Sequence, residues 1–248
     1  MQVVKQSLAD YVTEQTLDLI VTEGLLPGAA LPSVGELANR FGVSVIVVRE
    51  AMATLTGRGL IIRRQGRETV VRHPDPETIS SMLRHQLRVD GVTLEEIQQC
   101  RAGLEVQSAV LAAAVPDRDT SAMMVALENM SNADGLVALR DADVEFHIAL
   151  ASVSGNRALR IMIEALHAVV SDSLDAIYAQ LLESDRPAAE VAYGTHKAIA
   201  DAVESGNLPA ALRAMHQHFE MSLPGVDYGV VGSSELIGQS TFVPTEHS

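Results

Sequence analysis

The sequence predicts a mainly α protein: an N-terminal winged helix-turn-helix with a small β-hairpin wing, followed by an all-α antiparallel helical bundle. Three observations predict it. Short, capped segments of helical periodicity fill residues 5–57; two β-branched runs flank Gly66; and residues 79–223 read as helix broken only at Gly, Pro, Ser and Asp clusters.

The first helix is expected from about Lys5 to Glu23, with Leu8, Val12, Leu19 and Ile20 on one stripe, stopped by Pro27 and Gly28 in "LLPGAALP". In "SVGE", Ser33 and Glu36 have the spacing of a capping box, opening a short helix with Leu37 and Phe41 inward that ends at Gly42. Ser44 caps the third, whose Val48, Met52 and Leu55 share the core face while Val45, Arg49 and Ala53 face out. "LIIRR" and "TVVR" around "QGRE" then form the hairpin. Three helices closed by such a hairpin place the third in a DNA major groove; the alternative is a small helical core with an idle hairpin.

Charge bears on that choice. A net charge of −14 would oppose a phosphate partner, but residues 1–72 carry eight basic side chains against seven acidic ones, +1, which leaves −15 for the rest. Five arginines and one acid fall within 58–72, so one end suits DNA and the other repels it. The single cysteine, Cys100, excludes a disulfide framework within the chain, and no run of 18 apolar residues or signal-like start is present. A cytoplasmic protein without membrane contact is expected.

"HPDPET", residues 73–78, reads as a linker. About six helical segments follow, with breaks at 90–93, 116–119, 131–135, 154–156, 184–187 and 205–209. The expected division is 1–72, 73–78, an effector-binding and dimerisation domain at 79–225, and a disordered tail at 226–248.

Candidate chemistry lies in the bundle. Asp143 and His147 in "DADVEFH" are four apart and leave one helix face, which suits either a metal ion or a surface or core pair. His196 and His218 each stand eleven residues from Asn207, so an antiparallel hairpin turning there brings both rings to one height. One carboxylate and three imidazoles suit a divalent ion, zinc first, with nickel or another late first-row ion also accommodated; separate structural histidines are the alternative. His216 should point away. His167 mirrors Asp143 about Gly155 and is kept as a fourth imidazole or a residue behind the ligands. Arg101 either grips a carboxylate in two-point fashion or pairs with Glu105 along its own helix.

The segment "LPSVGELANRFGVSVIVVREAMATLTGRGLIIRRQGRETVV", followed by a helical domain with "DADVEFH" and "THKAIADAVESGNLPAALRAMHQH", resembles the GntR family of bacterial transcription factors, in its FadR-type subgroup with an FCD effector domain, over roughly residues 5–223. The resemblance implies a non-enzymatic regulator: a homodimer on a palindromic double-stranded DNA operator, controlled by a small carboxylate effector. It maps the family's metal ligands onto Asp143, His147, His196 and His218, and an arginine near the effector onto Arg101. DNA contacts are expected at Ser44, Val45, Ile46 and Arg49 and, in the wing, at Gln65, Gly66 and Arg67. The chain departs from the family at Gly35 and Val45, where arginines are usual, and at Glu68, where glycine is usual. Apolar side chains meet the thymine methyl rather than guanine, so an operator with fewer guanine contacts near Val45 and Ile46 is expected. The competing readings are a metal-dependent enzyme acting on a small organic acid and a bundle with a purely structural metal.

Overall fold

The computed structural model describes residues 7–63, 68–72, 76–182 and 188–222; the expected wing-tip contacts Gln65, Gly66 and Arg67, residues 73–75 of the linker and the tail at 226–248 lie outside them. The chain divides into two compact units, Met1–Ile79 and Ser80–Ser248.

In the first unit, α1 (Leu8–Thr22) opens on a capping box between Ser7 and Asp10. Its inward stripe is Ala9, Val12, Thr13, Thr16 and Leu19, and the two threonine hydroxyls donate back to the carbonyls of Ala9 and Val12. Leu8, expected on this stripe, is 57% exposed: it is the first residue of the helix and overhangs the core. The capping box of Ser33 and Glu36 opens α2 (Val34–Phe41), which ends at Gly42 with φ +66°, a left-handed conformation that favours glycine. Ser44 Oγ accepts the Val47 N–H and starts α3 (Val45–Gly57), with Val48, Ala51, Met52 and Leu55 buried. Strands β1 (Ile61–Arg63) and β2 (Thr69–Val71) pair antiparallel, Ile61 opposite Val71. Ala30, within the stretch read only as a helix stop, adds a bridge to Val70 and ties that stretch to the hairpin.

Seven helices follow among the described residues, one more than expected: α4 (Pro76–Val89), which starts before the division at Ile79 and runs into the second unit, and within that unit α5 (Leu94–Ala114), α6 (Ser121–Ser131), α7 (Leu136–Val153), α8 (Arg157–Leu182), α9 (Ala188–Glu204) and α10 (Leu208–Ser222). The expected linker at 73–78 is corrected at its second half. Pro76 opens α4, because its fixed φ and missing N–H suit the first helical position. Of the six expected breaks, those at 90–93, 116–119, 131–135 and 154–156 fall at the junctions between helices, that at 205–209 overlaps the start of α10 at Leu208, and that at 184–187 lies outside the described residues.

Alanine dominates the bundle core: Ala102, Ala109, Ala112 and Ala113 of α5 pack with Phe146 and Leu150 of α7, Ile199 and Val203 of α9, and Met215 of α10. Small side chains let α5 lie close to α10, α8, α9 and α7. The α9–α10 turn is built from Gly206, at φ +68°, and Asn207, whose Oδ1 accepts the Ala210 N–H. Arg118 closes over this turn, donating to the carbonyls of Glu204 and Ala113 at 2.9 and 3.0 Å. A Cβ at position 206 would lie 3.0 Å from Arg118 Nη2. Among the described residues no helix is long and apolar enough to cross a membrane.

Candidate metal centre and nucleic-acid interface

Helices α7, α9 and α10 bring Asp143, His147, His196 and His218 together, all four buried, with one donor atom from each lying within 4.8 Å of all the others. The i, i+4 spacing aligns Asp143 with His147, and the Gly206–Asn207 turn sets His196 against His218, their ring centroids 4.5 Å apart. Asp143 Oδ1 lies 2.9 Å from His196 Nε2 and 3.7 Å from His147 Nε2; the two Nε2 atoms are 3.2 Å apart. Ligands at roughly 2.0–2.1 Å from a tetrahedral zinc would stand about 3.3 Å from each other, so these separations fit a zinc-sized ion.

Hydrogen bonding sharpens the fit. His196 Nδ1 lies 2.7 Å from the Ala192 carbonyl, which can only accept, so that nitrogen carries the hydrogen. His147 Nδ1 stands 2.6 Å from Glu105 Oε2, an ion-pair contact outside aligned hydrogen-bond geometry. In the neutral rings both Nε2 lone pairs then point at one carboxylate oxygen. A cation between them, or a proton on one of the rings, relieves that arrangement.

The electrostatics agree. Burial opposes charge on Asp143, yet its bonds to His147 and His196 hold the carboxyl well below its usual range. Burial likewise opposes charge on Glu105, but Arg101, His147 and His167 keep it ionised. Burial disfavours the His147 imidazolium, and Glu105 with Asp143 outweighs it, raising the pKa to about 9. Without a metal, a proton supplies the missing positive charge.

Arg101 and Glu105 form the buried pair along α5: Arg101 Nε donates to Glu105 Oε1 at 3.0 Å and Nη1 to Gln98 at 2.8 Å. His167 stacks on His147 with centroids 5.1 Å apart and sets its Nε2 3.0 Å from Glu105 Oε1, so it stands behind the ligands on α8. Burial and the Arg101 charge lower its pKa to about 4, which leaves it neutral. His216 is half-buried and outside the cluster. Sequence reasoning took Glu105 only as the possible partner of Arg101. Its signal was there: Arg101, Glu105 and Ser108 are polar residues on the stripe that also carries Ala112, an otherwise apolar helix face.

In the first unit, the outer face of α3 presents Ser44, Val45, Ile46 and Arg49; Val45 is 39% and Ile46 75% exposed. Gly35 on α2 and Glu68 before β2 are exposed too. Arg40 and Arg58 are held in surface ion pairs by Glu23 and Glu14, at 2.8 and 3.9 Å.

The profile of the bacterial regulatory proteins of the gntR family matches residues 8–71, and that of the FCD domain matches residues 96–221. The chain belongs to the GntR family, in its FadR-like subgroup with an FCD domain. Among GntR relatives, the HTH-type transcriptional regulator LutR of Bacillus subtilis (strain 168) is 32% identical over 197 residues, 78% of this chain and 90% of that protein. An Escherichia coli (strain K12) protein, provisionally named an L-lactate dehydrogenase operon regulatory protein, is 29% identical over 234 residues, covering 88% and 86%. The solved structure of Streptococcus agalactiae GntR matches with a TM-score of 0.67 at 25% identity, over 86% of this chain and 97% of that one. This GntR chain is a DNA-binding transcription regulator, and its relatives are regulators rather than enzymes.

Proposed function

We propose that the protein acts in the cytoplasm as a homodimer on a palindromic operator, and that a small carboxylic acid bound at a zinc-type centre in the helical domain changes its DNA affinity. Residues 1–72 read DNA, residues 73–78 link the two parts, and residues 79–225 bind the effector and dimerise, followed by a tail at 226–248. Asp143, His147, His196 and His218 hold the ion. Ser44, Val45, Ile46 and Arg49, with Gln65, Gly66 and Arg67 of the wing, contact the operator.

The observation that carries this reading is the buried cluster of Asp143, His147, His196 and His218, with one donor atom of each within 4.8 Å of all the others. Charge carries it one step further. A dication beside Asp143, Glu105 and the Arg101 guanidinium leaves one net positive charge in a buried volume, and burying an unbalanced charge is costly. A carboxylate from the effector supplies the missing negative charge. Arg101 already donates to Glu105 and Gln98, so an acid that takes Arg101 exchanges with them. That a relative carries a lactate dehydrogenase operon in its name makes 2-hydroxy acids the first compounds to test. The acid alters DNA affinity only by its different affinity for two dimer arrangements.

The test is a footprint on the DNA upstream of the protein's own gene, at moderate salt, with and without chelator and with a panel of small acids. A protected palindrome whose occupancy shifts with one acid, and only in the metal-loaded protein, is the expected result. Protection indifferent to every acid, with the bundle melting on chelation, would make the metal purely structural.

A further inference from the structure

Resting on that metal reading, we propose that Glu105 is a positioning residue for the metal centre: its carboxylate holds the Nδ1 hydrogen of His147 and thereby turns that ring's Nε2 toward Asp143 and His196. Glu105 is 1% exposed and belongs to α5, a helix that supplies none of the four donors. Its Oε2 and His147 Nδ1 have no hydrogen-bond partner among the described residues, and they stand 2.6 Å apart. Each is therefore matched only to the other.

The opposite oxygen explains why Glu105 is not itself a ligand. Oε1 lies 3.0 Å from Arg101 Nη2 and 3.0 Å from His167 Nε2, and Nη2 is 3.1 Å from the same His167 nitrogen. Glu105, His147 and His167 have the donor types of a second metal site. The guanidinium already occupies the cation position there, and a second buried ion beside it would be repelled. One carboxylate is thus served by Arg101 and the other by the metal, with the His147 ring between them. A carboxylate on the far nitrogen of a ligating histidine fixes its tautomer and strengthens its lone pair, and loss of such a partner weakens metal affinity about 10- to 100-fold.

The experiment uses the full-length protein and its Glu105→Gln variant, titrated with zinc against a chromophoric chelator and with cobalt for its visible spectrum. A glutamine can still accept from Arg101, but the amide offers His147 Nδ1 no equivalent charged acceptor. We expect zinc affinity about 10- to 100-fold weaker and an altered cobalt spectrum, with the circular dichroism unchanged. Affinity within twofold of the parent in a folded variant would overturn the proposal. If the variant does not fold, nitrogen NMR of the zinc-loaded parent decides: His147 bound through Nε2 with Nδ1–H retained supports it, and zinc on Nδ1 overturns it. A parent protein that takes up no zinc removes the metal reading and this proposal together, whereas equal uptake by both proteins removes this proposal alone.

Discussion

Arg49 stands exposed on α3, one turn from Val45 and beside the buried Val48. Neither position 35 nor position 45 carries the family's usual arginine, so of those three positions Arg49 alone brings a cation to the face proposed to read the operator. Replacing Arg49 by alanine should cost about 1 to 3 kcal/mol of operator binding and relax preference at one base pair; anisotropy titrations on single-base operator variants read this directly. Unchanged discrimination would mean that α3 sits differently in the groove. At the metal centre, the residue-scale prediction concerns protons. His147, with its pKa raised to about 9, is protonated at neutral pH in the metal-free protein, and metal binding must expel that proton. Zinc affinity should therefore rise with pH by up to about tenfold per unit and level off above pH 9. Calorimetry in buffers of different ionisation enthalpy should find about one proton released per zinc. No release at pH 7 would show that His147 is already neutral in the metal-free protein.

The α9–α10 hairpin is the element that creates the site, because it carries two of the four donors from opposite sides of one turn. Gly206 allows that turn in two ways: its φ of +68° is left-handed, and a Cβ would press on Arg118. Alanine at 206 should cost about 1 to 2 kcal/mol from the backbone alone, lowering the melting temperature by a few degrees. It should also weaken zinc binding, as His196 and His218 lose register. A variant with parental stability and parental zinc affinity would mean the turn relaxes without moving the helices. On α3, Ser44 acts in the same manner at smaller scale, starting the helix where Val45 and Ile46 face outward.

At the scale of the whole molecule, the four donors lie on three helices of the second unit, so a bound ion stabilises the folded bundle by mass action. With free zinc at 100 times its dissociation constant, the gain is about 2.7 kcal/mol. Scanning calorimetry should show the unfolding of the helical unit moving upward with zinc and returning with chelator. The uneven charge suits separate tasks: the five arginines within residues 58–72 would favour phosphate, and residues 73–248, of net charge −15, would oppose it.

The sequence by itself determined the helix caps at Ser33 and Ser44, the core face of α3, four of the breaks between helices of the bundle, and the spacing that gathers Asp143 with His147 and His196 with His218 into one cluster. These are local properties: a cap spans three residues, a helical face repeats every 3.6, and a hairpin places partners equidistant from its turn. Three things needed the tertiary structure. Pro76 turned out to begin a helix, Ala30 to join the hairpin, and Glu105 to reach from α5 to a histidine on α7. None of these is written in local spacing, because each depends on which element a neighbour's packing brings within bonding distance. The choice between Arg101 as a free hand and Arg101 as a partner of Glu105 was of the same kind: both fit an i, i+4 pair on paper, and burial beside His167 engaged the guanidinium with Glu105, Gln98 and His167.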